Sequence, residues 1–306
     1  MTRARAGGAA AIVKSGPGVE FAMTADDFAR IRKLVFALCG ISLSATKVDM
    51  AYNRLVRVLR ARRLNAFSAY LDLVEAEEPG ARQEFVNAMT TNLTRFFREA
   101  AHFELLAKLL REAPANRARS IWCAGCSTGE EAYSIAITAI EALGPAAGGV
   151  RVLATDVDTE VLQTAAAGIY PAGAARDLDL ARLRRFFLAG TGSNSGKIRV
   201  RDELRDAVRF ERHNLRGSAW PPAGSLDAIF CRNVLIYFDR KSQAEVLERF
   251  RACLRPEGLL FAGHSEYYGH SAGRWTRVAH AVYRPASAAR RAMRCAPAHA
   301  SEEYST

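Results

Sequence analysis

After Arg119 the chain changes rhythm. Short, mostly apolar segments at 120–124, 151–155, 208–212, 226–231 and 259–262 alternate with helix-patterned stretches at 130–142, 158–167 and 240–254. Strands that alternate with helices pair in parallel and are covered on both faces, so the pattern predicts an α/β fold with a doubly wound sheet. Residues 274–283 fit late antiparallel strands added to it. An insertion at about 170–206 interrupts the scheme. There Gly190, Gly192 and Gly196 mark turns, and Lys197, Arg199 and Arg201 alternate with Ile198 and Val200. This predicts a small, hairpin-like β-subdomain with one basic face. Its edge either faces solvent or pairs with an extended peptide strand.

From Thr24 to about Glu112 the periodicity is helical. Thr24 followed by Asp27 resembles a capped start, Phe28, Ile31, Leu34, Val35 and Leu38 follow at helical spacing, and Gly40 stops the run. Further helices are predicted near 46–63, 66–77, 80–90 and 98–112. The expected division is an all-α N-terminal domain over 21–95 and a larger domain over 96–284. A disordered lead-in at 1–20 and a disordered tail at 285–306 flank them. In the second helix Ala51, Tyr52, Leu55, Val56 and Leu59 share one face, while Arg54, Arg57 and Arg60 share the other, with Arg62 and Arg63 near the end. No acid lies between Met50 and Leu71 to neutralise them. The stripe is either a solvated face or a docking surface for an acidic partner.

Composition narrows the function classes. No apolar run approaches the roughly 20 residues of a membrane span, so no membrane insertion is expected. The segment Ala9 to Val13 is too short for a secretory signal core. Six cysteines in 306 residues do not make a disulfide framework. Cys39, Cys231 and Cys253 sit in apolar surroundings and read as buried free thiols, which fits a cytoplasmic location. Cys123 and Cys126 match the C-x-x-C pattern, but no second ligand pair is spaced to complete a zinc site, so no metal is predicted. The net charge of +11 points to an acidic partner without choosing one.

The chemistry concentrates where strand 120–124 meets helix 130–142. Gly125 and Gly129 let backbone approach a ligand closely, yet the segment is neither the G-x-G-x-x-G fingerprint nor a Walker loop, which argues against a pyrophosphate cradle. At the end of the next strand Asp156 is placed either to accept hydrogen bonds from ribose hydroxyls or to cap the following helix, a role for which Asp158 competes. A nucleoside site without a pyrophosphate points to S-adenosylmethionine.

Four segments carry a family resemblance: Asn92-Leu-Thr-Arg-Phe-Phe-Arg-Glu99, Gly125-Cys-Ser-Thr-Gly-Glu-Glu131, Phe230-Cys-Arg-Asn-Val-Leu-Ile-Tyr-Phe-Asp239 and Leu259-Leu-Phe-Ala-Gly-His-Ser-Glu266. In this order they resemble the bacterial chemotaxis receptor methyltransferases (CheR-type), over about residues 21–284. The resemblance implies a helical N-terminal domain joined to a class I methyltransferase domain, and transfer of methyl from S-adenosylmethionine to glutamates on the cytoplasmic domain of chemoreceptors. By motif match Asn92, Thr94, Arg98, Glu131, Asp156, Asn214, Leu215, Arg232 and Asn233 would line the cofactor site. Arg98 and Tyr237 would lie near the transferred methyl, although Tyr237 read without the resemblance is as well explained by packing. The inserted sheet resembles one that binds a receptor's C-terminal peptide. Cys123 and Cys126 are a slight departure in the first-turn motif.

Two other readings share the same cofactor fold. A nucleic-acid or small-molecule methyltransferase would use the positive charge. Amino-methylating enzymes often carry Asn/Asp-Pro-Pro-aromatic after the fourth strand, whereas this chain has Arg232-Asn-Val-Leu there, so no nucleic-acid partner is expected. A non-catalytic cofactor-binding protein would not need Arg98, Asp156 and Tyr237 together.

Overall fold

Thr24 opens the first long helix. Its hydroxyl accepts from the Asp27 N–H at 3.0 Å, and the Asp27 carboxylate accepts from the Thr24 N–H at 3.0 Å. This reciprocal cap satisfies two otherwise free donors. Helix α1 (Ala25–Cys39) ends at Gly40, which takes the left-handed conformation and donates to the Phe36 carbonyl. The computed structural model describes residues 12–15, 19–114, 118–144, 149–266, 268 and 273–286.

Helices α2 (Val48–Arg62), α3 (Phe67–Glu75) and α4 (Ala81–Met89) complete a bundle around Ile31, Leu55, Tyr70 and Phe85. Most of the expected disordered lead-in, and nearly all of the expected tail, lie outside the described residues. Within the lead-in, however, β1 (Ile12–Lys14) pairs antiparallel with β2 (Met23–Thr24). Lys14 ties this ribbon to α2 by an ion pair with Asp49 and a place over the Tyr52 ring.

Helix α5 (Ala101–Glu112) continues the helical periodicity of the N-terminal part but packs elsewhere. Its Phe103, Leu106 and Leu110 join the core of the sheet. The sheet is built from β3 (Arg119–Ala124), β4 (Val150–Asp156), β8 (Val208–Arg212), β9 (Leu226–Cys231), β10 (Leu254–Ala262), β11 (Trp275–Ala279) and β12 (Val282–Pro285). Its strand order is β11-β12-β10-β9-β3-β4-β8. The five strands from β10 to β8 run parallel, and the β11–β12 hairpin is antiparallel at one edge. Alternate residues face opposite layers, as the strand period of two requires. Ile121, Cys123, Ala228 and Phe230 pack with α5 and α6 (Glu130–Leu143), whereas Trp122, Ala124, Ile229 and Cys231 pack with α10 (Arg240–Cys253). Every residue of β9 is buried, which accounts for its apolar pattern, interrupted at Asp227.

Between β4 and β8 the chain makes α7 (Thr159–Ala167) and then the inserted subdomain: β5 (Ile169–Pro171), α8 (Leu180–Phe186), β6 (Phe187–Ala189), β7 (Lys197–Val200) and the short α9 (Asp202–Asp206). The insertion is a three-stranded sheet of order β5-β7-β6, one strand more than the glycine-marked hairpin predicted. The added strand comes from Ile169–Pro171, too short to be visible as a pattern. Lys197 and Arg199 are exposed and Ile198 and Val200 buried, so the expected basic face is present.

The bundle is fastened to the sheet domain by polar contacts at the start of α7. Gln83 donates to the Val157 carbonyl at 2.8 Å, Asn87 donates to the Thr159 hydroxyl at 3.0 Å, and Asn92 donates to Asp158 at 2.7 Å. The segment 90–94 therefore crosses the carboxyl ends of the strands. Among the described residues, no helix is long and apolar enough to cross a membrane.

Candidate active site

The strand order reverses beside β3, whose neighbours are β4 and β9. Connections leave such a switch point in opposite directions, which opens a crevice at the strands' carboxyl ends. One pocket lies there. All ten residues expected at the cofactor and methyl-transfer positions line it: Asn92, Thr94, Arg98, Glu131, Asp156, Asn214, Leu215, Arg232, Asn233 and Tyr237.

The turn at Gly125 makes the pocket's floor. Gly125 has φ +86°, and a Cβ there would lie 2.4 Å from Val234 Cγ2. A side chain would thus collide with Val234, so glycine lets the turn after β3 pack closely on the residues that follow β9. Gly129 has φ +97°, and its Cβ would meet Ala165 Cβ at 2.8 Å, so glycine also lets α6 approach α7. The Gly125 and Cys126 N–H groups both donate to the Thr155 carbonyl, at 2.8 and 2.9 Å, which ties the turn to the end of β4.

The competition between Asp156 and Asp158 is resolved by geometry. Asp158 caps α7, accepting from the N–H groups of Glu160 and Val161. Asp156 is left facing the pocket, with one carboxylate oxygen accepting from Ser127 N–H at 2.9 Å and the other from Asp158 N–H at 3.0 Å. Burial pushes its carboxyl up, and these backbone donors pull it back down. Each oxygen keeps a free lone pair for a hydroxyl.

Glu131 and Arg232 form a buried ion pair at 2.8 Å between β9 and α6. Burial raises the Glu131 carboxyl, opposed chiefly by the Arg232 guanidinium and also by Arg98. Arg232 also donates to the Arg98 carbonyl and lies 3.0 Å from Glu99. It therefore gathers the turn, the β9 end and the Arg98 loop around one charge. That loop is strained on both sides of Arg98: Phe97 and Glu99 have φ of +50° and +60°. Asn233, at φ +57°, donates its N–H to Glu266, which also accepts from Gly263 N–H.

The bundle supplies the opposite wall. Asn214 donates to the Leu38 carbonyl at 2.6 Å, Ser42 N–H donates to the Tyr237 carbonyl at 2.7 Å, and Ile41 bridges Phe238. Cys39 lines the pocket as a thiol pushed up to about 11 by burial. Cys39, Cys123, Cys126, Cys231 and Cys253 are all free and buried, and burial also holds the Cys123 and Cys126 thiols well above their ordinary range. Such thiols are poor nucleophiles.

The arginine stripe is less uniform than its spacing implies. Arg54 donates to the Met89 carbonyl and the Thr91 hydroxyl, at 2.6 and 2.8 Å, and Thr91 lines the pocket. Arg60 pairs with Glu20, and Arg62 with Glu78 and Glu84. These acids lie outside the helix, where intrahelical spacing could not find them. Arg57 and Arg63 are exposed and have no ion pair among the described residues.

Some pocket residues carried no assignment in the sequence. Ser127 lies inside a quoted motif; its N–H donates to Asp156 and its hydroxyl to the Asn92 carbonyl. Thr90 and His213 gave no signal. Both line the pocket, and His213 has a buried Nε2 without a hydrogen-bond partner.

A switch-point crevice, a glycine turn without a phosphate cradle, and a buried carboxylate at the end of the second strand define a class I methyltransferase, whose cofactor is S-adenosylmethionine. Residues 92–283 match the CheR methyltransferase, SAM binding domain, and residues 26–90 match the CheR methyltransferase, all-alpha domain. The chain is 50% identical to chemotaxis protein methyltransferase 2 of Pseudomonas aeruginosa, over 87% of this chain and 95% of that one. It is 48% identical to the chemotaxis protein methyltransferase of Escherichia coli, over 84% and 89% of the respective chains. The chain belongs to the CheR methyltransferase family, and it is an S-adenosylmethionine-dependent methyltransferase of chemotaxis.

Proposed function

We propose that this enzyme esterifies glutamate side chains on the cytoplasmic domain of methyl-accepting chemoreceptors, working in the cytoplasm. The observation that carries the reading is the convergence of Arg98, Tyr237 and Asp156 on one pocket, with Arg54 of the basic helix anchored at its rim. The residues present fit the cofactor. Asp156 offers ribose hydroxyls two oxygens already oriented by backbone donors. Gly125 brings the turn backbone to the pocket lining, where Val234 packs too close for a side chain. Asn214, Leu215 and the orphaned His213 nitrogen complete a half-apolar wall for a base.

Bound there, S-adenosylmethionine supplies an electrophilic methyl on a cationic sulfur. A glutamate, with an ordinary pKa of about 4.3, is already an ionised nucleophile at neutral pH. The protein therefore needs no general base, only orientation and exclusion of water. Arg98 would orient the incoming carboxylate and Tyr237 would hydrogen-bond beside it. A tight Arg98 ion pair would lower the carboxylate's nucleophilicity, and Arg98 lies within reach of Glu131, which shares its charge.

The inserted sheet supports a second contact. Its β6 edge is unpaired in the three-stranded order, and Leu188 is exposed beside the basic face of β7. A receptor's C-terminal peptide would add a strand there.

Transfer of labelled methyl to receptor cytoplasmic fragments, released by mild base as expected of an ester, is the direct test. Receptors with accessible glutamates that take up no label would sink the proposal. Label appearing on nucleic acid instead would favour the nucleic-acid reading.

A further inference from the structure

Away from the cofactor pocket, three side chains from three parts of the chain converge. Glu99 follows Arg98, His102 lies in the first turn of α5, and His264 follows the end of β10. One ligand-type atom of each lies within 4.8 Å of the other two, and Glu99 Oε2 faces both His102 Nδ1 and His264 Nε2. The carboxylate oxygen is 3.5 Å from Nδ1 and 3.4 Å from Nε2. Four ligands placed tetrahedrally at roughly 2.0–2.1 Å from a zinc ion are about 3.3–3.4 Å apart. Both distances are therefore close to the edge of such a tetrahedron.

The tautomer of His102 sharpens the case. Its Nε2 faces the His280 carbonyl at 3.3 Å, and a carbonyl can only accept, so Nε2 carries the proton. His102 is 3% exposed, and burial disfavours the imidazolium. Its Nδ1 is then a bare lone pair, buried and without a hydrogen-bond partner. Glu99 Oε2 is also buried without one; Arg232 lies 3.0 Å away but outside hydrogen-bonding geometry. Two acceptor atoms thus face each other 3.5 Å apart; Arg232 offsets the carboxylate's charge but donates a hydrogen bond to neither. The Arg232 guanidinium is divided between two carboxylates, those of Glu99 and Glu131. A backbone carbonyl receiving the far nitrogen of a histidine is also the usual outer support of a metal-bound imidazole.

We propose that Glu99, His102 and His264 form a binding site for a divalent transition metal, with zinc the best match to two imidazoles and one carboxylate. The fourth position opens toward solvent on the side of His264, whose side chain is 51% exposed. The His280 ring packs perpendicular to His264 at 4.6 Å and fixes its orientation. A shallow cavity lined by His102, Leu105, His264 and His280 gives access. None of the three ligands lines the cofactor pocket, so this is a separate site. Occupied, it would pin the strained loop carrying Arg98 to the end of β10.

The test is metal binding by the full chain after stripping with a chelator. Co2+ is expected to bind at one equivalent and show the visible bands of tetrahedral coordination. Zn2+ is expected to displace it and raise the melting temperature. In His264→Ala, where the lost side chain is half exposed and folding is checked by circular dichroism, Zn2+ affinity measured against a chromophoric chelator should fall by at least about tenfold. Glu99→Gln should weaken it similarly. Failure of the wild-type chain to bind a stoichiometric metal overturns the proposal. So does unchanged affinity in His264→Ala, because the metal would then be held by cysteines or histidines elsewhere.

Discussion

Arg232 Nη1 lies 2.8 Å from Glu131 Oε2, and the two side chains are 1% and 11% exposed. The same guanidinium holds the Arg98 carbonyl, so one buried charge joins the Arg98 loop to the helix that follows the glycine turn. Removing one member of such a pair leaves an uncompensated buried charge. Arg232→Met should therefore lower folding stability by about 3–5 kcal/mol in urea titrations. Arg232→Met with Glu131→Gln should recover part of that loss. A single substitution costing less than about 1 kcal/mol would show that water already reaches the pair.

Asp156 lends itself to a binding measurement. Its two oxygens are fixed by the N–H groups of Ser127 and Asp158, which leaves one lone pair on each for a ribose hydroxyl. Hydrogen bonds to a charged acceptor contribute about 1.5–3 kcal/mol apiece, so Asp156→Ala should weaken cofactor binding by at least about 100-fold in calorimetry. Asp156→Asn, which keeps one acceptor, should lose less. Unchanged affinity in Asp156→Ala would remove the ribose role.

The sequence disclosed most where local and tertiary signals agree. The β3–β4–β9 strands, the capped start at Thr24 and the Gly125 turn were legible because apolar period, cap and glycine all point to the same structure. The motif residues scattered from Asn92 to Tyr237 were legible through resemblance, since no spacing rule joins positions so far apart. What stayed hidden was pairing across elements. Arg60 finds Glu20, and Arg62 finds Glu78 and Glu84, only after the bundle folds. The Glu99, His102 and His264 cluster is hidden for the same reason, because a search for zinc ligands by local spacing stops at Cys123 and Cys126. The ribbon at Ile12–Lys14 is hidden because three residues are too few to carry a periodic signal.

Asp239 should give the site a measurable acid dependence. It caps α10 by accepting from Ser242 N–H at 2.7 Å, and the Ser242 N–H and hydroxyl hold its carboxyl below its ordinary range. From that helix start, Gln243 donates to the Leu235 and Phe238 carbonyls and clamps the turn that carries Tyr237. A carboxyl whose folded-state pKa is depressed stabilises above its unfolded value and loses that contribution as pH falls through the folded value. Asp239→Ala should thus cost about 1 kcal/mol at neutral pH, as for other lost N-caps. The difference from wild type should hold steady between about pH 7 and 5 and narrow once pH falls below about 3.9. A gap that widens in acid would mean that the carboxylate is not the cap's working form.

The arginine stripe separates into two experiments because its members are held differently. Arg57 and Arg63 are exposed and carry no ion pair among the described residues, whereas Arg60 and Arg62 already face acids of their own bundle. If the face docks an acidic receptor helix, Arg57→Glu should reduce kcat/KM for receptor methylation by about tenfold, because a like charge replaces an attraction. Cofactor affinity and melting temperature should not move. Added salt should slow the wild type more than the variant, since exposed charges are screened over about 8–10 Å. Arg62→Ala should instead lower stability modestly, through loss of its contacts to Glu78 and Glu84, with a smaller effect on kcat/KM. Arg54 lies between these cases: anchored to Met89 and Thr91 at the pocket rim, its loss should raise KM for receptor without unfolding the bundle. Receptor methylation at the wild-type rate after joint replacement of Arg54, Arg57 and Arg60 by alanine would reduce the stripe to a solvated face.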